Sequence, residues 1–279
     1  MFRLLNVLLV CLMAINLNAQ DIQSRIYNST SKNPIPYASI GIVGKTIGIV
    51  ADENGFFSLK KSVLNQFLND TLRISAIGFV TNQYIISNNH FLPNEIFLKE
   101  DSIQLNEVTV SNVKFEKEKV LGTNSESKST ITGWGRYGTG GERGLKISIG
   151  DKKKALLSEV KFFIRQSKFD EVIYRIHIRR LINDIPSNEL IERNILVNSK
   201  TSVGWVAADI KEENIIVEGD IMVSIEVLKV KGSCNEAPCL IFSGQLLKGT
   251  LYAKEASEDY WKIKKRFSPS ITVIALYPR

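Results

Sequence analysis

Between Ile22 and Leu98 the apolar residues come in short runs or in strict alternation: "IQSRIY", "YASIGIVG", "GIVADENGFFSL", "TLRISAIGF", "NQYIIS" and "NEIFLK". Asn, Gly, Pro, Asp or Ser bounds each one. Strands at this spacing, with turn residues between them and no amphipathic helix of crossover length, predict a β-sandwich in place of βαβ units. Asp52, Asn54 and Gly55 predict a hairpin turn in the third run, since Asp and Asn bond their own backbone and Gly tolerates positive φ. Only "SVLNQFLN", residues 62–69, has room for a helical turn or two.

The pattern changes at residues 111–133, "SNVKFEKEKVLGTNSESKSTITG", which are alternately charged and then rich in Ser and Thr. That composition predicts a linker or a loosely held arm. A glycine-dense loop, "GWGRYGTGGERG", follows, and then a second strand series. It includes "LSEVKFFIRQ", "EVIYRIHIRRLI", "GWVAADI", "NIIVEGDIMVSIEVLKV", "APCLIFSG", "KGTLYAKE" and "ITVIALY". β-Branched and aromatic residues dominate these runs, as they do on a half-buried pleated surface. The expected fold is therefore all-β, with a Greek-key sandwich at 20–110 and a jelly-roll-like sandwich at 134–279.

Several ordered motifs in the first half carry a family resemblance: "NPIPYASIGI", "GIVADENGFFSL", "DTLRISAIGF", "IFLK" and "LNEVTV". Together they resemble the carboxypeptidase regulatory-like domain, a small transthyretin-like β-sandwich of exported Gram-negative proteins that also precedes the plug of TonB-dependent receptors. The resemblance spans residues 21 to about 110 and implies an accessory fold. A chain of 279 residues does not hold the plug and barrel of those receptors. Nor does His90, the single histidine of this half, suffice for a peptidase zinc site of His and Glu. The second half is similar, through "GWVAADI" and "NIIVEGDIMVSIEVLKV", to a domain that accompanies this module in exported bacterial proteins, which implies architecture alone.

The first twenty residues bring in a compartment. "MFRLLNVLLVCLMAINLNAQ" has one cation at Arg3, an apolar run from Leu4 to Ile15 and a small residue at Ala19, the signature of a signal peptide over 1–19. Cys11 inside that run leaves a lipoprotein leader as the alternative. No later run reaches the ~20 apolar residues of a membrane-spanning helix. Export to the periplasm, the outer membrane or the cell surface is the expectation. In an oxidising compartment Cys234 and Cys239, in "SCNEAPCL", are expected to close a small disulfide, with free thiols as the alternative.

Charge is shared unevenly. Residues 20–110 hold seven Lys/Arg against eight Asp/Glu, whereas residues 111–279 hold 28 against 21. Strand alternation places Val160, Phe162 and Ile164 on one face and Lys161, Phe163 and Arg165 on the other. In the next run Tyr174, Ile176 and Ile178 point inward and Arg175, His177 and Arg179 outward. With "QSKFDE" as the turn, Lys161, Arg165, Arg175, His177 and Arg179 form one cationic surface. Such a surface suits an anionic glycan, lipid headgroups or an acidic partner, or is the solvated face of an antiparallel sheet. The lysine clusters "DKKKA" and "KIKKRF" read as ordinary surface charge.

Chemistry of other kinds finds little support. No Cys/His set implies a metal or cofactor, and "ADENG" departs from a calcium loop because Lys61 stands where the loop requires its last carboxylate. Export and the lack of a reading helix argue against nucleic acid. Trp134 and Tyr137, in the glycine-rich loop, are the candidate aromatic platform for a sugar. The sequence thus implies an exported non-catalytic binding or assembly module whose partner is an envelope protein or a glycan. A glycan-active hydrolase with its carboxylates in the second domain is the alternative.

Overall fold

The computed structural model describes residues 21–88, 91–101, 114–134, 139–150 and 153–279. The leader expected at 1–19, Cys11, His90 and Tyr137 lie outside the described residues. In chain order the first strands are β1 (Ile22–Asn28), β2 (Ser39–Ile42), β3 (Gly48–Val50) and β4 (Phe56–Leu59). After one helical turn, α1 (Lys61–Leu64), come β5 (Thr71–Ser75), β6 (Asn82–Ile85) and β7 (Glu95–Leu98). They make two sheets, ordered β4-β1-β7 and β3-β2-β5-β6. Ile26, Ile40, Ile42, Leu72, Ile74, Ile96 and Leu98 fill the space between them and are all but inaccessible to solvent.

The turn at Gly55 does not close a hairpin. β3 pairs with β2, and β4 pairs with β1 in the opposite sheet, so the turn carries the chain across the sandwich. Its chemistry is as expected, because Asp52 Oδ1 accepts from the amides of Asn54 and Phe56, both at 2.8 Å. Gly55 has φ +72°, and a Cβ there would lie 2.6 Å from the Ile26 carbonyl oxygen. Both facts demand glycine.

The second sandwich is built from β8 (Phe115–Gly122), β9 (Ile131–Trp134), β10 (Glu142–Ser148), β11 (Lys154–Ser167), β12 (Glu171–Ile182), β13 (Ile185–Glu189) and β14 (Ile195–Ser199). It continues with β15 (Gly204–Asp209), β16 (Ile216–Glu218), β17 (Asp220–Lys231), β18 (Leu240–Lys254), β19 (Lys262–Pro269) and β20 (Ile271–Pro278). The main path of pairing runs β13-β12-β17-β10-β18-β11-β20-β8. The stretch expected as a linker at 111–133 therefore supplies two strands from Lys114 onward: β8 pairs with β20, and β9 with β18. Alternating charge gave β8 the look of a linker, and it is in fact a strand whose residues 116–120 are all exposed.

One strand belongs to both layers. Leu240–Ser243 of β18 pair with β9, and Leu240–Phe242 also pair with β11, whereas Leu251–Lys254 pair with β10 and Leu251–Ala253 with β19. Across the interior the Phe162 ring meets Tyr174 edge-on at 5.0 Å and stacks on Phe242 at 5.1 Å. β11 and β12 thus face each other through the core. The connection 168–170 is a crossing between layers, and the hairpin expected at "QSKFDE" does not exist, because β11 pairs with β15, β16, β18 and β20 while β12 pairs with β13, β14 and β17. Cys234 and Cys239 form the expected disulfide, their Cα atoms 5.9 Å apart.

A buried ion network between the sandwiches

The outward face of β12 is not solvated. Tyr174, Ile176 and Ile178 point into the core as alternation requires, but Arg175 and His177 on the other face are only 2% and 4% exposed. That face carries a row of directly opposed residues: Lys254 on β18, Glu142 on β10, Glu226 on β17 and Arg175 on β12. Two like charges side by side on a sheet repel. Here each glutamate has a cation on its far side.

The geometry is dense. Arg175 Nε donates to Glu226 Oε2 at 2.8 Å, and Lys254 Nζ lies 2.6 Å from Glu142 Oε1. Arg179 Nη1 donates to Glu142 Oε2 at 2.6 Å, and Arg179 Nε stands 2.9 Å from Glu189 Oε2. His177 sits among the carboxylates, its Nε2 at 2.8 Å from Glu226 Oε2 and its Nδ1 at 3.0 Å from Glu189 Oε2. Ser224 donates to Glu142 Oε2 at 2.7 Å and accepts from Arg179. Gly144 leaves the room for that hydroxyl, since a Cβ there would come within 2.9 Å of Ser224 Cβ. Trp261 covers one side, with Lys254 Nζ 4.9 Å from its ring centre, a distance at which ring and cation attract.

What excludes solvent is the first sandwich. Arg175 Nη1 donates to the Tyr37 carbonyl at 2.8 Å and Nη2 to Ser39 Oγ at 3.0 Å. Beside it Glu258 receives Arg73 at 3.0 Å and Ser75 Oγ at 3.1 Å. The loop after β18 fits against the β2–β3 hairpin because glycines there clear a path: a Cβ on Gly41 would lie 2.9 Å from Glu258 Cβ, and one on Gly48 3.3 Å from Ala256 Cβ. Gly44 donates its amide to the Glu258 carbonyl at 2.9 Å. The chain spends three glycines on one docking surface.

Burial raises the pKa of a carboxyl group and lowers that of histidine, and here the partners outweigh it. Glu142 is held well below the usual carboxylate range by Arg179, His177 and Lys254 against the push of burial. Glu226 is lowered likewise by Arg175 and His177, and Glu189 by Arg179 and His177. For His177 burial and Arg179 pull downward, but Glu142 and Glu189 prevail and the value is raised. The three carboxylates are thus held toward their ionised form beside Arg175, Arg179 and Lys254, with His177 inclined to protonate.

Glu142, His177 and Glu226 also bring one ligand-capable atom each to within 4.8 Å of one another. The donor set is one that suits a transition metal. The charges are not: Arg175, Arg179 and Lys254 already bind these carboxylates at 2.6–2.8 Å, and a dication would enter beside all three. The cluster does not fit a metal. It does border an open cavity of about 410 Å³, whose far wall is Ser39 and residues 75–79 of the first sandwich. Two buried atoms of its lining residues, Glu226 Oε1 and Ser257 Oγ, have no hydrogen-bond partner among the described residues.

The cationic surface expected from sequence is thus corrected in two ways. Arg175, His177 and Arg179 are together but buried and paired, while Lys161 and Arg165 lie on the opposite sheet, Lys161 beside Glu159 at 2.7 Å. Trp134 is 2% exposed, packs edge-on against Phe242 at 4.6 Å and donates to the Gly141 carbonyl, so it is core and no sugar platform. Sequence reasoning missed Glu142, Glu189, Glu226 and Lys254. One signal was present: in "DIMVSIEVLKV" both faces of β17 carry apolar residues, as a strand covered on both sides does, and Met222 and Leu228 are indeed buried.

Fold and junction define an all-β protein of two sandwiches joined through a buried, charge-balanced network. Residues 22–110, which include the first sandwich, match the family model of the CarboxypepD_reg-like domain. No curated protein sequence matches the chain. Among solved structures it is similar to the cysteine protease and lectin-like domains of Cwp84, a surface layer associated protein of Clostridium difficile, at 9% identity and a TM-score of 0.37. That alignment covers 93% of this chain and 63% of the other, so the chain spans less than two thirds of that structure. BcpA, the major pilin subunit of Bacillus cereus, aligns at 11% identity and a TM-score of 0.22, over 91% of this chain and 69% of the pilin.

Proposed function

We propose that the chain is an exported, non-catalytic binding module of the bacterial envelope that holds a hydroxyl- or amine-bearing ligand, first of all a glycan unit, in the cavity between its sandwiches. The observation that carries this reading is a pair of buried atoms without a hydrogen-bond partner among the described residues, Glu226 Oε1 and Ser257 Oγ, on residues lining that cavity. A buried carboxylate oxygen without a donor is costly. A ligand that brings N–H or O–H groups removes that cost.

The electrostatics speak against the hydrolase alternative. Glycoside hydrolysis requires one carboxyl group that keeps its proton near neutral pH. Glu142, Glu189 and Glu226 are all displaced the other way. The test is calorimetric titration with envelope glycan fragments and amino sugars. Binding is expected, and Ser257→Ala weakens it by about five- to tenfold, the worth of one hydrogen bond. No heat with any member of the panel at millimolar concentration removes the reading. Turnover of a bound glycan that Glu226→Gln abolishes replaces it with the hydrolase.

A further inference from the structure

The stretch "KIKKRF", residues 262–267, has a setting that its composition did not reveal. Alternation gives a sheet strand one buried face, yet all five residues Lys262–Arg266 of β19 are exposed, and so are Gln245–Gly249 on the partner strand β18. Between them the ladder breaks. Leu246 pairs with Phe267, and pairing resumes at Thr250, so Leu247, Lys248 and Gly249 are extruded as a bulge. Leu247 and Arg266 both stand at positive φ, +64° and +60°, a backbone state that bulky residues rarely adopt.

The bulge puts two leucines in water. Leu246 is 57% and Leu247 74% exposed. On the same two strands stand Lys248, Lys264, Lys265 and Arg266, all exposed and, among the described residues, without a carboxylate within 4.0 Å, although Lys265 is near enough to Asp184 to help lower its pKa. Lys264 Nζ stands over the Phe267 ring, 5.0 Å from its centre. A charge cluster alone would fit any polyanion, and apolar tips alone would be an aggregation hazard. Exposed leucines on the same strand pair as four exposed cations fit a surface that is anionic outside and apolar immediately beneath.

We infer that the β18–β19 arm docks the protein on an anionic lipid bilayer, with Leu246 and Leu247 entering the headgroup boundary and Lys248, Lys264, Lys265 and Arg266 on the lipid phosphates. The charge complementarity is the argument for a bilayer, and the leucines are the argument against a soluble polyanion. Each basic residue near an anionic surface raises partitioning by roughly fivefold. This arm lies apart from the ligand cavity, so either assignment stands if the other falls.

The experiment is flotation of the protein with vesicles of 30% phosphatidylglycerol in phosphatidylcholine, against phosphatidylcholine alone, with heparin as the soluble polyanion. Binding is expected to the anionic vesicles only and to fall steeply with salt. Lys264→Glu with Lys265→Glu lowers it by more than tenfold, and Leu246→Ser with Leu247→Ser lowers vesicle binding while sparing heparin. In Leu247→Trp the new indole shifts its emission to the blue on vesicles. Equal binding to neutral vesicles, insensitivity to charge reversal, or heparin binding that matches vesicle binding with no effect of the leucine changes each overturns the inference. The substituted residues are exposed, and unchanged thermal melting of the variants shows that loss of binding is not loss of fold.

Discussion

Two stretches of this chain look alike on paper. "YRIHIRR" and "KIKKRF" both set several cations among apolar residues along a strand of the same sandwich. In the first, Arg175 and His177 are buried and every cation of the 175–179 ladder meets a carboxylate at 2.6–3.0 Å. In the second, Lys264, Lys265 and Arg266 are exposed, and among the described residues none has a carboxylate within 4.0 Å. The difference lies in what stands opposite. β17 and β13 bring Glu226 and Glu189 across from β12, β10 adds Glu142 one strand further on, and the first sandwich closes over them. Among the described residues β19 pairs with β18 alone, and its residues Lys262–Arg266 are all exposed. Alternation reports that a strand has a polar face, and says nothing of whether water or another domain meets it.

Substitutions sharpen this contrast. The largest effect is expected from Arg175→Ala, which strands Glu226 as a buried charge and opens the contacts to Tyr37 and Ser39. About 3–5 kcal/mol should be lost, the usual cost of breaking one side of a buried pair, measured by urea unfolding followed through tryptophan fluorescence. A loss under 1 kcal/mol would mean that solvent reaches the network.

Next in size is the pH dependence. The folded-state pKa of His177 lies above its ordinary 6.5. Its stabilisation is complete below that ordinary value and is lost as pH rises through the elevated one. Glu142, Glu189 and Glu226 run the other way, since their values are lowered from 4.5. Their stabilisation is present above 4.5 and disappears as pH falls. Unfolding free energy should therefore decline from pH 6 toward pH 9 in the wild type, and His177→Gln should flatten that limb while leaving the acid limb in place. Parallel curves for the two proteins would show that His177 carries no proton of consequence.

Smaller again is Glu258→Ala at the rim of the junction. Arg73 is partly exposed there, so solvent screens the pair, and about 1–2 kcal/mol is expected for two lost hydrogen bonds. The smallest effect belongs to the other stretch. Lys265→Ala should change stability by less than about 0.5 kcal/mol, a result that thermal melting reads directly.

Much of the fold was legible because it depends on local pattern. Short alternating runs, Asp52 and Gly55 at their turn, and the spacing of Cys234 and Cys239 each encode their own structure within a few residues. The signature of the first sandwich was legible for the same reason. The junction was not, because its members come from β10, β12, β13, β17 and β18, up to 112 positions apart in the case of Glu142 and Lys254. A β-sheet assembles such groups by register alone, and register is not written in any one segment. The same limit misled the reading of 111–133: β8 has few apolar residues because it lies at the end of the strand path, where only the ladder to β20 demands anything of it.

The strand that serves both layers also bears on how the molecule comes apart. Because β18 runs 15 residues from one sheet into the other, neither layer of the second sandwich is complete without it, and its release would strip pairing from β9, β10, β11 and β19 together. Partial unfolding that spares one layer has no natural seam along this strand. The second sandwich should therefore melt as a single cooperative unit, and its folding, governed by contacts between distant parts of the chain, should be slow compared with that of the small sandwich ahead of it.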